Sequence, residues 1–580
     1  MADRKSTGSH FTPPELAQFV SDRILSASAM IAENKELRVL DPACGDGELL
    51  LALAMALSER KWDLQRVVLV GVDTDLSSLA IARTRLEEQN LAQVVLEHAD
   101  FLSGSPMVGG QLTLDALNVS RSLQEPFDLI IANPPYVRTQ VLGATRAQEL
   151  AEAFDLSGRV DLYYAFLVAV THRLKPGGIL GVITSNRFLS TKSGADVRSF
   201  LATEYEIVDI CDLGDTKLFE AAVLPAIFVG RKRGANNKRE GRPARFLKVY
   251  ETATANKNDT VTSVGDIYEI LRGSESGVFR VGERQFEATV GTLQLPDRVD
   301  DPWSMVTKEE RAWMQRVEQG SQARLGELFK VRVGIKTTAD EVFIKTDWNT
   351  LRDEVRPEPT LLHRLLSQDD AARWLPLDQP SSAKMILYTH EIRDGKRQAI
   401  DLAQYPRAAA YLESHRPRLE GRKYVLQAKR KWFEIWVPQD PSAWAKPKVV
   451  FPDISAEPRF FFDDRGCMVD GNCYWIAVDR EDDLDLLFLV QGVANSKVMT
   501  RYHDLAFNNK LYAGRRRYLT QYVEKYPIPP SDSPSSRRVI SLVKQLVRST
   551  STPDERRALE ALIDAAVEQA FGLIPGEGHG

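Results

Sequence analysis

Cysteine is scarce in this chain. Its 580 residues include four, Cys44, Cys211, Cys467 and Cys473, and no CxxC pair. That excludes a disulfide framework and a cysteine-built zinc site, and it fits a reducing cytoplasm. Long apolar runs are missing too. The best, LLLALAMAL at 49–57, is about half a membrane span, and the opening MADRKSTGSHFTPPE lacks the apolar centre of a signal peptide. A soluble cytoplasmic protein with no membrane partner is expected. Nor does charge of one sign dominate. With 75 Lys plus Arg against 80 Asp plus Glu the net charge is -5, so any face for nucleic acid has to be local. No repeat of fixed period and no long low-complexity tract occurs.

What is present points to several domains, because 580 residues exceed what one hydrophobic centre serves. From Leu37 to Lys232, aliphatic runs alternate with helical stretches: LRVLD, VVLVGVD, VVLEHAD, FDLIIANPP, ILGVITS, YEIVDICDLG and LPAIFVGRK. Near-continuous apolar strands separated by amphipathic segments make a mostly parallel sheet covered on both faces, a doubly wound α/β domain. The polar, basic stretch RKRGANNKREGRPAR at 231–245 reads as a boundary, dividing the chain into 1–240 and 241–580. Beyond it the alternation is lost, yet eight of the nine tryptophans lie there, so the second half folds as well. Near its end, TPDERRALEALIDAAVEQAFGL predicts a packed helix, with Thr552 as N-cap, Glu555 closing a capping box, and Leu559, Leu562, Ile563, Ala566 and Ala570 on one stripe.

In VLDPACGDGELLLALA, Gly45 and Gly47 open a tight strand-to-helix turn where a ligand can lie against backbone. Alone, this is as readily an ordinary βα turn. The next strand ends in GVDTD, where Asp73 can accept both hydroxyls of a ribose. The loop departs from GxGxxG, and Asp41 and Asp46 beside its glycines would repel a pyrophosphate. A nucleoside with a positive centre fits better, and S-adenosylmethionine is that ligand. The third strand ends in HADFL, where Asp100 can accept from an exocyclic adenine amine and Phe101 can pack on the ring; a helix cap or solvated loop acid explains Asp100 equally. In FTPPE, Thr12 as N-cap, Pro13 at the first helical position and Glu15 closing a capping box account for the residues structurally.

The fourth strand, DLIIANPPYVRTQ at 128–140, ends in an amide, two prolines and a phenol. No acid, base or nucleophile is supplied, so the chemistry has to use an amide oxygen, a backbone carbonyl and an aromatic face. Methyl transfer to an exocyclic amine is such a reaction. The amine's lone pair is delocalised into its ring, but if the Asn133 oxygen and the Pro134 carbonyl each accept one N–H, the nitrogen can pyramidalise and aim that pair at the methyl. Proline's fixed φ sets the acceptors before substrate arrives. Tyr136 offers a stacking face worth about 1–3 kcal/mol, comparable with the few kcal/mol needed to pull a base from its duplex. A purely structural alternative has Pro-Pro ending the strand and Tyr136 in the core. A cytosine-C5 enzyme would need a Pro-Cys nucleophile, and no such dipeptide occurs.

FTPPE, DPACGDG, GVDTD, HADFL, NPPY and DTKLFEAAVLPAIFVGRK occur in the order seen in the gamma class of DNA adenine-N6 methyltransferases, the TaqI-like enzymes of restriction–modification systems, which residues 10–232 resemble. The resemblance implies a Rossmann-like S-adenosylmethionine-dependent domain with a mostly parallel sheet, followed by an α+β target-recognition domain. It implies base flipping and N6 methylation of adenine in double-stranded DNA, no metal, and a separate cognate restriction endonuclease as partner. By position, Phe11, Thr12, Asp41, Ala43, Gly45, Asp73, Asp100 and Phe101 would surround the cofactor, with Phe166 of DLYYAFL lining its pocket. Asn133, Pro134 and Tyr136 would hold the adenine, and Phe219 of LFEAAV would close the sandwich. Helix-core and strand-core roles explain Phe166 and Phe219 as well. Two features depart from the family: Asp73 stands where Glu is common, and the chain begins directly at FTPP, which disfavours a fused endonuclease.

KVRVGIKTTADEVFI (330–344) and NNKLYAGRRRYLTQYVEKYPIP (508–529) resemble the opening and closing parts of a TaqI-like target-recognition domain. Residues 405–431 carry 8 Lys/Arg against 2 Asp/Glu, and 501–548 carry 10 against 3, with aromatics interleaved. Such windows suit backbone phosphates, and the candidate contacts are Arg332, Lys336, Lys429, Arg430, Lys510, Arg515, Arg516 and Arg517. Other readings remain: an RNA guanine-N2 or protein glutamine methyltransferase sharing the chemistry, or a methylase subunit inactive without partners.

Overall fold

Each of the seven aliphatic runs becomes a strand: β1 (Leu37–Asp41), β2 (Val67–Asp73), β3 (Gln93–His98), β4 (Phe127–Ala132), β5 (Leu174–Ser185), β6 (Tyr205–Asp212) and β7 (Pro225–Lys232). The computed structural model describes residues 12–28, 36–89, 91, 93–102, 121–135, 148–149, 152, 162–218, 224–234, 243–252, 260–296, 298–377, 383–478, 483–507, 514–548 and 552–576. Four further strands, β8 (Ala244–Thr252), β9 (Val261–Ser263), β10 (Gly277–Val281) and β11 (Arg284–Leu293), extend the same sheet. The order is 3-2-1-4-5-7-6-8-11-10-9. β1 to β5 pair in parallel, and β7 runs antiparallel between β5 and β6.

Helices α1 (Pro14–Ala27), α2 (Glu48–Glu59), α3 (Leu76–Glu87), α4 (Leu162–Arg173) and α5 (Ala195–Glu204) cover the sheet. Successive strand residues face opposite sides. Val68, Val70 and Val72 therefore join a core with Phe166 and Leu167 of α4 and Leu201 of α5. Val67 and Leu69 join another with Phe19 and Ile24 of α1 and Leu50 and Leu53 of α2. Two buried faces explain why these strands are near-continuous aliphatic runs and do not alternate with polar residues.

The chain divides into two compact units, residues 1–309 with 510–514, and 310–509 with 515–580. The break expected at 240 is therefore displaced. The segment after the polar connection is itself a strand: β8 pairs in parallel with β6 and antiparallel with β11. The chain then stays on the first unit. Trp303, 1% exposed, sets its ring edge-on to Phe188 at 5.9 Å, and its backbone N–H donates to the Leu189 carbonyl at 2.8 Å. Buried Arg198 donates to the Asp300 carbonyl at 3.0 Å. Polar composition marks an exposed connection within one sheet, and a tryptophan expected in the second half belongs to the first unit.

The second unit is built from short strands. Lys448–Pro452 lies between Phe461–Asp463 and Cys473–Ala477, and Arg332–Val333 adds to the latter. A second four-stranded sheet joins Ile344–Lys345, Met385–Leu387, Leu362–Leu366 and Met468–Val469. Four helices of eleven or more residues follow among the described residues, Leu484–Ala494, Lys497–Phe507, Pro534–Arg548 and Pro553–Ala570. The last has the expected Thr552–Glu555 capping box. Its buried stripe runs through Leu559, Ile563, Ala566 and Val567, whereas Leu562, placed on the stripe by its spacing, is 42% exposed. Among the described residues no helix is long and apolar enough to cross a membrane.

Replacing Trp303 with Ala tests the unit boundary. Loss of a buried indole costs about 3–5 kcal/mol, and in urea denaturation the unfolding transition of the first unit is expected to move while that of the second stays.

Candidate active site and nucleic-acid interface

β1 and β4 are parallel neighbours, but the chain leaves β1 toward β2 on one side and β4 toward β5 on the other. Their carboxyl ends mark the switch point at which open α/β sheets bind ligands. The β1–α2 turn sits there. Gly45 has φ +52, and a Cβ on it would meet nothing within 4 Å among the described residues, which leave the loop backbone open. Gly47, at φ +82, instead packs against Ala82, 3.0 Å from where its Cβ would be.

Asp41, the last residue of β1, is fully buried. Its Oδ1 accepts the Ala43 N–H at 3.1 Å, and its Oδ2 is buried with no hydrogen bond among the described residues. Burial pushes this carboxyl up to about 8, with Asp73 adding to the rise and the Ala43 N–H opposing it. Asp73 spans two turns, accepting Gly45 N–H at 2.8 Å and Asp75 N–H at 2.9 Å. Each of its oxygens keeps a further lone pair for a hydroxyl. Asp46 departs from expectation: Arg85 pairs with it at 3.1 Å and also with Glu48. One guanidinium offsets only one of the Asp46 and Glu48 charges, so the loop stays acidic and still repels a pyrophosphate. Sequence spacing does not reveal Arg85, because its partners lie on another element.

The third loop closes on the same edge, with the Ala99 N–H donating to the Asp73 carbonyl at 3.0 Å. Asp100 is exposed and accepts Leu102 N–H at 3.0 Å, while Phe101 is buried and stacks on Phe166 at 6.0 Å and 17°. Two aromatics from distant stretches thus meet as one apolar wall.

Thr12 departs from the cap expected of it. The helix starts at Pro14 with Pro13 as N-cap and no side-chain cap bond. The Thr12 hydroxyl instead accepts from Asn133 Nδ2 at 3.1 Å. FTPP and NPPY, far apart in sequence, are joined through this bond. Pro134 is buried. Phe11, Tyr136 and Phe219 lie outside the described residues.

This arrangement fits S-adenosylmethionine: open backbone at Gly45, an orphaned buried carboxyl oxygen on Asp41 beside a charged Asp73, and an aromatic wall. Together with the doubly wound sheet it defines an S-adenosylmethionine-dependent methyltransferase. Residues 69–219 match the Eco57I restriction-modification methylase family. The type II methyltransferase M.BanIII of Aneurinibacillus aneurinilyticus is 47% identical over 572 residues, 98% of each chain, and M.PaeR7I of Pseudomonas aeruginosa is 26% identical over 561 residues, 90% of this chain and 86% of that one. The type IIL restriction-modification enzyme MmeI, solved in complex with DNA, shares the fold with a TM-score of 0.59 at 14% identity, covering 97% of this chain and 74% of that one. The chain belongs to the type II methyltransferases of restriction–modification systems. It is a DNA methyltransferase, and S-adenosylmethionine is its cofactor.

The candidate DNA contacts divide sharply. Arg516 forks onto Asp504 at 2.6 and 2.7 Å, and Arg517 onto Asp453 at 3.3 and 2.6 Å. Arg430 donates to the Trp436 carbonyl at 2.5 Å with its guanidinium over that ring, and Arg332 lies over Trp475 at 5.1 Å. Each of these four is engaged within the second unit, which leaves less of its guanidinium for a phosphate. Lys336, Lys429 and Arg515 are exposed, as are Lys423 and Lys431. Backbone bonds between Lys336 and Val437 at 3.0 and 2.9 Å bring two of these basic segments together. Lys510 lies outside the described residues.

Two outcomes follow for measurement. The Asp41 carboxyl has 3.8 as its ordinary value and about 8 when folded. The folded state therefore holds a proton that unfolding releases, and its contribution to stability falls as pH rises from about 4 to 8. Asp41→Asn is expected to flatten that fall in thermal melts, and calorimetry of the wild type in two buffers is expected to show release of ~0.5–1 proton as the cationic cofactor binds. Alanine at Lys336, Lys429 or Arg515 is expected to lower the slope of log Kobs against log salt by about 0.9 for each DNA phosphate that is no longer neutralised, whereas Arg516→Ala lowers the melting temperature and leaves the slope unchanged.

Proposed function

We propose that the chain methylates the N6 amino group of an adenine swung out of double-stranded DNA, protecting host DNA from a separate cognate restriction endonuclease. The observation that carries this reading is the amide at the end of β4. Asn133 gives Nδ2 to Thr12 at 3.1 Å, and an amide whose nitrogen is engaged on one side turns its oxygen to the other. Pro134 follows with φ fixed by its ring, and Pro135 after it favours an extended ψ at Pro134, which together restrict where the Pro134 carbonyl points.

Bound S-adenosylmethionine supplies an electrophilic methyl on a sulfonium. The chain's own part is to aim the nucleophile. Asn133 Oδ1 and the Pro134 carbonyl take the two amine N–H groups, which holds the nitrogen pyramidal with its lone pair directed along the line of transfer. Fixing that geometry can supply up to about 7–11 kcal/mol of the barrier. The product nitrogen then sheds its extra proton to water, because a protonated aromatic amine is a strong acid. Tyr136 and Phe219 complete the reading as stacking faces for the everted base. Likeness to a type II methyltransferase over 98% of the chain includes the second unit and supports duplex DNA over a release-factor amide or RNA.

The purified protein alone, given labelled cofactor and plasmid DNA, is expected to label DNA. Digestion to nucleosides should place the label in N6-methyladenine; label in a cytosine product would overturn the reading. Asn133→Ala is expected to reduce single-turnover methylation by roughly 100- to 1,000-fold with cofactor affinity nearly unchanged, and a variant keeping most of its rate would rule out the acceptor role.

A further inference from the structure

Two turns of the second unit carry side chains where glycine would be the easier residue. After the short helix Lys423–Gln427, the Lys429 N–H donates to the Leu426 carbonyl at 2.9 Å and the Arg430 N–H to the Val425 carbonyl at 3.2 Å, with Lys429 at φ +58. This is a Schellman cap, and its left-handed position ordinarily takes glycine, which has no Cβ to clash. Thr338 is left-handed too, at φ +61, a conformation still less suited to a β-branched side chain. Both residues are exposed, so neither side chain is kept for packing in the core. An unfavourable backbone that presents a side chain to solvent points to a contact made outside the fold.

The two turns belong to one surface. Buried Arg422 donates to the Thr337 carbonyl at 2.9 Å, the Trp432 carbonyl at 2.7 Å and the Leu419 carbonyl at 3.2 Å, which ties the turn at 337–338 to both ends of the segment 422–432. Lys336 is bonded backbone to backbone with Val437, and Arg430 lies over the neighbouring Trp436 ring at 4.9 Å. Lys336, Thr338, Lys423, Leu426, Gln427 and Lys429 are the exposed residues of this frame that concern DNA. Leu426 is 42% exposed, an apolar side chain in a run that also carries Lys423 and Lys429. Among the described residues no carboxylate pairs with the three lysines. Carboxylates close by in the chain are engaged elsewhere: Glu434 accepts the Lys431 N–H at 2.8 Å, and Asp340 accepts the Thr337 hydroxyl.

We propose that this surface reads the recognition sequence in a groove of duplex DNA, with Thr338, Leu426 and Gln427 on base edges and Lys336, Lys423 and Lys429 on adjoining phosphates. The residue types fit that division. A glutamine amide can bond an adenine edge at two points, an apolar side chain or a threonine methyl can lie against the methyl of thymine, and ammonium groups suit phosphate oxygens without regard to sequence. Arg422 holds the two turns from beneath, so the reading side chains are set before DNA arrives. The proposal rests on duplex DNA as the substrate and not on which of its bases is methylated.

The test uses the full-length protein with three kinds of duplex: one carrying the site that the wild type methylates, a set altered at one base pair of it, and one without it. Discrimination is the ratio of kcat/KM on the intact site to that on an altered one. In Gln427→Ala, Leu426→Ala or Thr338→Gly, discrimination is expected to fall about tenfold at one position of the site. Lys429→Gly is expected to keep or raise the melting temperature, because glycine takes the left-handed backbone freely, and to lose about threefold or more in affinity for duplexes with and without the site alike. Wild-type discrimination in all three of the first variants, or wild-type duplex affinity in Lys429→Gly, would overturn the proposal and leave these lysines to an acidic protein. A wild type that methylates no duplex would overturn it through the substrate on which it rests.

Discussion

Two parallel strands placed side by side, with the chain departing from them in opposite directions, set the conditions for the rest of the first unit. Because helices cover both faces of β1 and β4, their middles are aliphatic, and the polar groups Asp41 and Asn133 stand where the strands end. A carboxyl fully buried at such an edge is held uncharged until a cation comes near it, and an amide there is oriented by whatever hydroxyl reaches it. The first helix brings that hydroxyl: Thr12 stands two residues before Pro14, so the packing of α1 against the sheet also determines how the amide faces.

The central strands of the methyltransferase sheet were legible because burial on both faces leaves near-continuous aliphatic sequence, and the edge strand β3 by its short aliphatic run VVL. β8 to β11 were not. ARFLKVYET mixes Arg, Lys and Glu with its apolar residues, and it follows a connection rich in Gly, Asn and Arg, which reads the same whether the next strand joins the old sheet or a new one. FTPPE misleads for a related reason. Thr, two prolines and Glu satisfy a cap by spacing, and only the fold reveals that Asn133, 121 positions away, competes for the hydroxyl. The convergence of Asp41, Gly45 and Asp73 was legible, since strand ends in a doubly wound sheet share one edge. Arg85 was not, because its partners Asp46 and Glu48 lie on another element and it carries no local signature.

The basic windows of the second unit show why counting charge overstates contact with phosphate. Every arginine in 405–431 already has a partner: Arg407 pairs with Glu358, Arg416 with Glu413 and Glu420, and Arg418 with Glu341, while Arg422 and Arg430 donate to backbone carbonyls. The three lysines of the window, Lys423, Lys429 and Lys431, are exposed. The division has a chemical cause. A planar guanidinium with five fixed donors is the better group for bracing loops from within, and a compact, strongly hydrated ammonium is better left in water. A polyanion approaching residues 405–431 therefore meets Lys423, Lys429 and Lys431 together with the exposed, ion-paired Arg416 and Arg418, whereas alanine at buried Arg422 would weaken binding through folding.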